Sequence, residues 1–142
     1  KLIKEKIDNK KILINDSHEK MLFKLLTPLT ERSLTVNELY ENSKFIFLSN
    51  EKINNKEYIE ILNKSQIYIN ELMREIKLID EWSSSSIENC FKHFIKNNKL
   101  SFKIIGQPLR ILLTNSLNSP SIIIIMEALG KKEVIKRLSA LW

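Results

Sequence analysis

Apolar residues recur along this chain at the spacing of a helix face, three to four positions apart, and polar residues fill the positions between. Leu2, Ile3, Ile7, Ile12 and Ile14, set among charges, read as the tail of a helix over Lys1–Asn15. Asp16, with Glu19 three residues on, has the form of a capping box, and Met21, Leu22, Leu25 and Leu26 give the helix it opens an apolar face. Thr27-Pro28 is expected to end that helix and start another turn. Thr35 with Glu38 repeats the box ahead of Leu39, Tyr40, Ser43, Ile46 and Phe47. Beyond the polar connection SNEKINNK, residues Tyr58, Ile59 and Leu62 mark a short helix, and Ser65 is expected to cap a longer one faced by Ile69, Leu72, Met73, Ile76 and Ile79. The pattern breaks at Asp80-Glu81-Trp82, and the four serines that follow read as a helix start, with Ser85 and Glu88 as a third box and Ile87, Cys90, Phe91, Phe94 and Ile95 behind them.

The stretch from Gly106 to Gly130 holds both glycines and two of the three prolines of the chain. Pro108 suits a first helical turn, the run Leu109, Ile111, Leu112, Leu113 continues it, and Asn115 can close it in the left-handed conformation. A polar hinge, Ser116 to Asn118, precedes Ser119-Pro120, read as an N-cap followed by proline at the first helical position; Gly130 is expected to close the second helix. A last helix carries Val134, Ile135, Leu138 and Leu141 on one face. The expected fold is all-α, a helical bundle or cage of two small packed subdomains, residues 1–82 and 83–142, divided near Trp82.

Composition agrees with this reading. Two glycines and three prolines in 142 residues disfavour a β-rich or loop-rich fold, and 43% hydrophobic residues suffice for a core without metal or disulfide. A net charge of +6 fits a polyanionic partner and equally fits a generic solvated surface. The single cysteine permits no disulfide within the chain. No signal peptide and no membrane-spanning run is read, and since the sequence starts at Lys1 without methionine it is expected to be a fragment of something longer.

Most site chemistries lack their residues. Cys90, His18 and His93 have no zinc spacing, and Cys90 lies in an apolar stripe, so a buried structural thiol is expected there in place of a Cys-His catalytic pair. Two isolated glycines build no phosphate-cradling loop. What remains is Arg110 with Thr114, Asn115, Ser119, Pro120 and Ile122, a guanidinium and a helix start at one polar corner, which suits an anion or the polar edge of an unpaired base. The bland alternative is that Arg110 pairs with a carboxylate and Ser119 only caps its helix.

The segments PLRILLTNSLNSP and MEALGKKEVIKRL, together with LLTPLTERSLTVNELYENSKFIFLS upstream, resemble the C-terminal anticodon-binding region of bacterial glutamyl-tRNA synthetases, from near Met21 to Trp142. The resemblance implies a domain that binds the anticodon arm of glutamate tRNA during attachment of glutamate, in a cytoplasmic, monomeric ligase. It implies no catalytic site, metal or cofactor in this fragment, with ATP and Mg confined to a missing catalytic domain whose two signature motifs are absent here. By the same resemblance Arg110, Thr114, Asn115, Ser119, Pro120 and Ile122 would contact anticodon bases, Lys131, Lys132, Lys136 and Arg137 the tRNA backbone, and Arg32 is a candidate reader of the third base. The sequence departs from the family at Asn115, where glycine is usual, at Ser116, where a basic residue is common, and at Ile124, where a carboxylate is common. The rival reading is a basic helical module that binds protein or a membrane surface without tRNA specificity.

Overall fold

A computed structural model describes residues 16–31, 36–47 and 53–139. Among them are seven helices and no strand, the all-α class expected. They are α1 (Asp16–Glu31), α2 (Val36–Phe47), α3 (Lys56–Lys77), α4 (Ser84–Asn98), α5 (Phe102–Thr114), α6 (Ile122–Leu129) and α7 (Lys131–Ser139). The helix expected over Lys1–Asn15, the caps at Asp16 and Thr35, Arg32 and Leu141 lie outside what is described of backbone or side chain. Packing divides the chain into two compact units at Ser49/Asn50. The boundary expected at Trp82 falls inside the second unit, where α3 and α4 pack together and the Trp82 indole donates to the Met126 carbonyl of α6 at 2.9 Å.

In the first unit α1 packs on α2. Leu25 and Leu29, one turn apart on either side of Pro28, are both fully buried. Keeping both on one face favours helix through the proline, so α1 runs on to Glu31 where a stop was expected. His18 meets the edge of Phe47 with ring centroids 5.7 Å apart.

In the second unit α3 is the long spine, packed against α4, α5 and α7. Leu62, Ser65, Ile69, Leu72 and Ile76 form its buried face, so the two helices expected here are one of 22 residues. Ser65 caps nothing; its hydroxyl donates back to the Ile61 carbonyl at 2.8 Å, which satisfies a serine in a helix interior. The N-cap is Asn55, whose side chain accepts from the Tyr58 N–H. Helix α4 likewise starts two residues before the expected box, with Ser83 accepting from the Ser86 N–H at 3.2 Å. Among the described residues no helix is long and apolar enough to cross a membrane.

Candidate nucleic-acid interface

Helix α5 begins at Phe102, six residues before the proline that was expected to open it. Ile105 and Leu109, four apart and both fully buried, carry the apolar face across Pro108, and the Phe102 ring reaches Phe91 of α4 with centroids 6.0 Å apart. Burial thus outweighs the one backbone bond that a proline in a helix forfeits. The other end is as expected: Asn115 is left-handed at φ 54°, and its N–H donates to the Ile111 carbonyl at 2.8 Å.

That end is fastened from inside. The Thr114 hydroxyl donates to the Arg110 carbonyl at 2.7 Å and lies 3.1 Å from the Ser116 carbonyl. Arg137 of α7, only 3% exposed, donates from Nη1 to the Leu113 carbonyl at 2.7 Å and from Nε to Glu133 at 2.9 Å. Burial lowers the Arg137 pKa, and the Glu133 carboxylate opposes that shift by a hydrogen bond and by its charge. This guanidinium was expected on the tRNA backbone. It is instead spent within the fold, capping one of the orphan carbonyls at the end of α5. Lys131 is similarly drawn inward, its ammonium donating to the Ile79 carbonyl after α3. Lys132 and Lys136 are exposed.

Across the hinge, the expected cap moves by two residues. Helix α6 starts at Ile122 with Ser121, not Ser119, at the N-cap position, and Ser121 makes no side-chain capping bond. Ser119 is 6% exposed with its hydroxyl donating to the Pro120 carbonyl at 3.1 Å, and Pro120 is buried as well. A proline two residues before the helix fixes its entry direction without occupying the first turn. Ile122 is 1% exposed and offers a base no edge; Ile124, 41% exposed, is the most exposed apolar side chain of this turn. No protein acceptor among the described residues meets the N–H groups of Ile122, Ile123 and Ile124. Gly130 closes α6 at φ 87°, and since an added Cβ would meet nothing within 4 Å, conformation and not space selects glycine there.

Arg110 is half-buried on α5, its Nη1 3.4 Å from where a Cβ on Gly106 would stand. The corner therefore offers a guanidinium, the partly exposed Asn115, Ser116 and Leu117, the exposed Asn118 and Ser121, and three backbone donors. Thr114, Ser119, Pro120 and Ile122 shape it from within. The Ser116 hydroxyl and the Asn118 N–H are joined at 3.0 Å, which stiffens the hinge. Nothing in the sequence separated the inward serine, Ser119, from the outward one, Ser121, because both are compatible with a cap.

Among the described residues no three His, Cys, Asp or Glu side chains gather as a metal site would require. Cys90 is half-buried; its thiol pKa is pushed up to about 11, by burial first and by the Glu75 carboxylate second.

Comparison with known proteins gives one consistent answer. The chain is 30% identical over 126 residues to a glutamate–tRNA ligase of Nitrobacter hamburgensis, an alignment covering 88% of this chain and 27% of that one. It is 29% identical over 132 residues to the glutamate–tRNA ligase of Bradyrhizobium diazoefficiens, covering 92% and 28%. The chain thus spans about a quarter of the length of the curated relatives it matches. A crystal structure of a glutamate tRNA ligase from Elizabethkingia meningosepticum shares the fold, with a TM-score of 0.72 at 22% identity over 96% of this chain and 26% of that one. The family described as the anticodon binding domain matches residues 2–141, so nearly the whole chain is accounted for, and the chain belongs to that family.

Proposed function

We propose that this chain is the anticodon-binding part of a glutamate–tRNA ligase and recognises the anticodon arm of glutamate tRNA. The family match over residues 2–141 carries the reading, and the relatives named above supply the amino acid. In this account the domain makes no bond. It contributes binding energy that depends on the anticodon, so that cognate tRNA is held with its acceptor end at a catalytic domain elsewhere in the protein, where ATP and Mg are used. The protein acts as a cytoplasmic monomer, and the second unit, Asn50–Trp142, carries the corner that reads bases.

Each group at the α5–α6 corner then has a task. Arg110 stacks on or hydrogen-bonds an anticodon nucleotide, Asn115 and Ser121 present polar groups, Ile124 gives an apolar edge, and the free N–H groups of α6 donate to base or phosphate oxygens. Thr114, Ser119, Pro120 and Arg137 hold the corner in shape. Lys132 and Lys136 contribute charge along the backbone, and Arg32 stays a candidate for the third base. Titration of the chain with glutamate tRNA and with the same tRNA carrying a different anticodon, at several salt concentrations, tests the reading. The cognate tRNA should bind more tightly at every salt, both affinities falling as salt rises. Equal affinities would reduce the domain to a basic module without tRNA specificity.

A further inference from the structure

One feature of α5 has no part in the corner. Phe102, at the first position of the helix, is 40% exposed although its ring also touches Phe91. One turn on stands Gly106, and one turn beyond that Arg110, so the three share a stripe of the helix. They converge in space. A Cβ on Gly106 would lie 3.0 Å from Phe102 Cε1 and 3.4 Å from Arg110 Nη1, so the ring edge and the guanidinium both close on the spot that glycine leaves empty. A Cβ there would be a tighter contact than side chains ordinarily make, so the ring would have to give slightly. Gly106 has no positive φ to explain it and sits inside a helix, where glycine is less favourable than alanine. Space for the ring and the guanidinium is the reason the structure offers. Lys99 and Lys103, both exposed, flank Phe102 in sequence, and no described acidic residue pairs with either.

We infer that Phe102 and Arg110 form a two-part stacking shelf over Gly106 that takes one unpaired nucleobase of the anticodon loop, with Lys99 and Lys103 facing the phosphates on either side. An aromatic ring and a guanidinium are the two planar groups on which proteins stack splayed bases, and a polyanion suits the lysines around them. The inference rests on the proposed function and adds a nucleotide site to it. Its signature differs from that of base reading. Every base has a π face, so the Phe102 contact is tolerant of sequence, whereas hydrogen bonds at the corner are not.

The test titrates the 142-residue chain with glutamate tRNA and its anticodon-swapped counterpart, using wild type, Phe102→Leu and Phe102→Trp. Leucine keeps the apolar volume against Phe91 and removes the plane; tryptophan restores a plane. Phe102→Leu should weaken both tRNAs by the same factor, about 5- to 20-fold on the scale of one base–aromatic stack. The slope of log affinity against log salt should be unchanged because no charge is lost. Phe102→Trp should bind like wild type. Wild-type affinity in Phe102→Leu, together with an intact anticodon preference, would overturn the shelf and leave the proposed function standing. Equal weakening in leucine and tryptophan variants would make Phe102 a packing residue only and also overturn it. Failure of the wild type to prefer the cognate tRNA would remove the functional reading and the shelf with it.

Discussion

Two corners of the second unit are each led by serine, and they are finished differently. Before α4, Ser83 accepts from the Ser86 N–H at 3.2 Å and donates to the Ser86 hydroxyl at 3.0 Å, while Trp82 ties the same turn to Met126. Before α6, Ser121 caps nothing and Ser119 is turned inward to the Pro120 carbonyl. The first corner has one helix-start donor, the Ser86 N–H, occupied by its own side chain. The second leaves the Ile122, Ile123 and Ile124 N–H groups without a protein acceptor among the described residues, yet the helix end opposite is fastened through Arg137 and Thr114. A joint needs only closure. A site needs open donors on a rigid support, because ordering the site after the ligand arrives would cost affinity.

The comparison is broken most forcefully at its support. Arg137→Met should cost about 3 kcal/mol in urea unfolding, since a buried carbonyl at Leu113 and the Glu133 carboxylate each lose a partner. A loss below about 0.5 kcal/mol would mean that the end of α5 holds itself. Ser83→Ala should cost about 1 kcal/mol, the usual worth of an N-cap, whereas Ser121→Ala should change stability by less than about 0.3 kcal/mol because no cap is lost. Equal costs for the two serines would erase the distinction between the corners. The smallest effect concerns Cys90 on α4, half-buried. Its raised pKa predicts slow alkylation by iodoacetamide at pH 8 and a rate still climbing beyond pH 10. The sign for folding follows: the thiol is kept protonated in the native state, so the linked stability is intact below the ordinary thiol pKa of 9.0 and drains away as pH rises through about 11.

How much of this was legible beforehand depended on whether a residue acts through its neighbours in sequence or through distant ones. The faces Leu62-Ile69-Leu72-Ile76 and Ile87-Phe91-Phe94 were readable because period alone decides them. Asn115 and Gly130 were readable because few residues accept positive φ. Ser65 and Pro108 do not start helices because burial of a longer face carries the helix across each of them, while the starts expected at Ser85 and Ser119 lie two residues away because neighbouring serines are equally compatible with a cap. Arg137 was read as a surface cation since its partner, the Leu113 carbonyl, is 24 residues away. The meeting of Phe102 with Arg110 was hidden for a simpler reason. The helix was expected to begin at Pro108, which leaves Phe102 outside it and the i, i+4 relation unseen.

The central claim is that the α5–α6 corner reads bases through Arg110, and one measurement bears on it most directly. It compares Arg110→Ala with wild type in binding to glutamate tRNA and to the anticodon-swapped tRNA at one fixed salt. The account predicts a loss on the cognate tRNA about tenfold larger than on the swapped one, so that the anticodon preference collapses, while the swapped tRNA loses only the sequence-tolerant stacking. Equal losses on both would make Arg110 a phosphate contact or a packing residue, and the corner would not be where the anticodon is read.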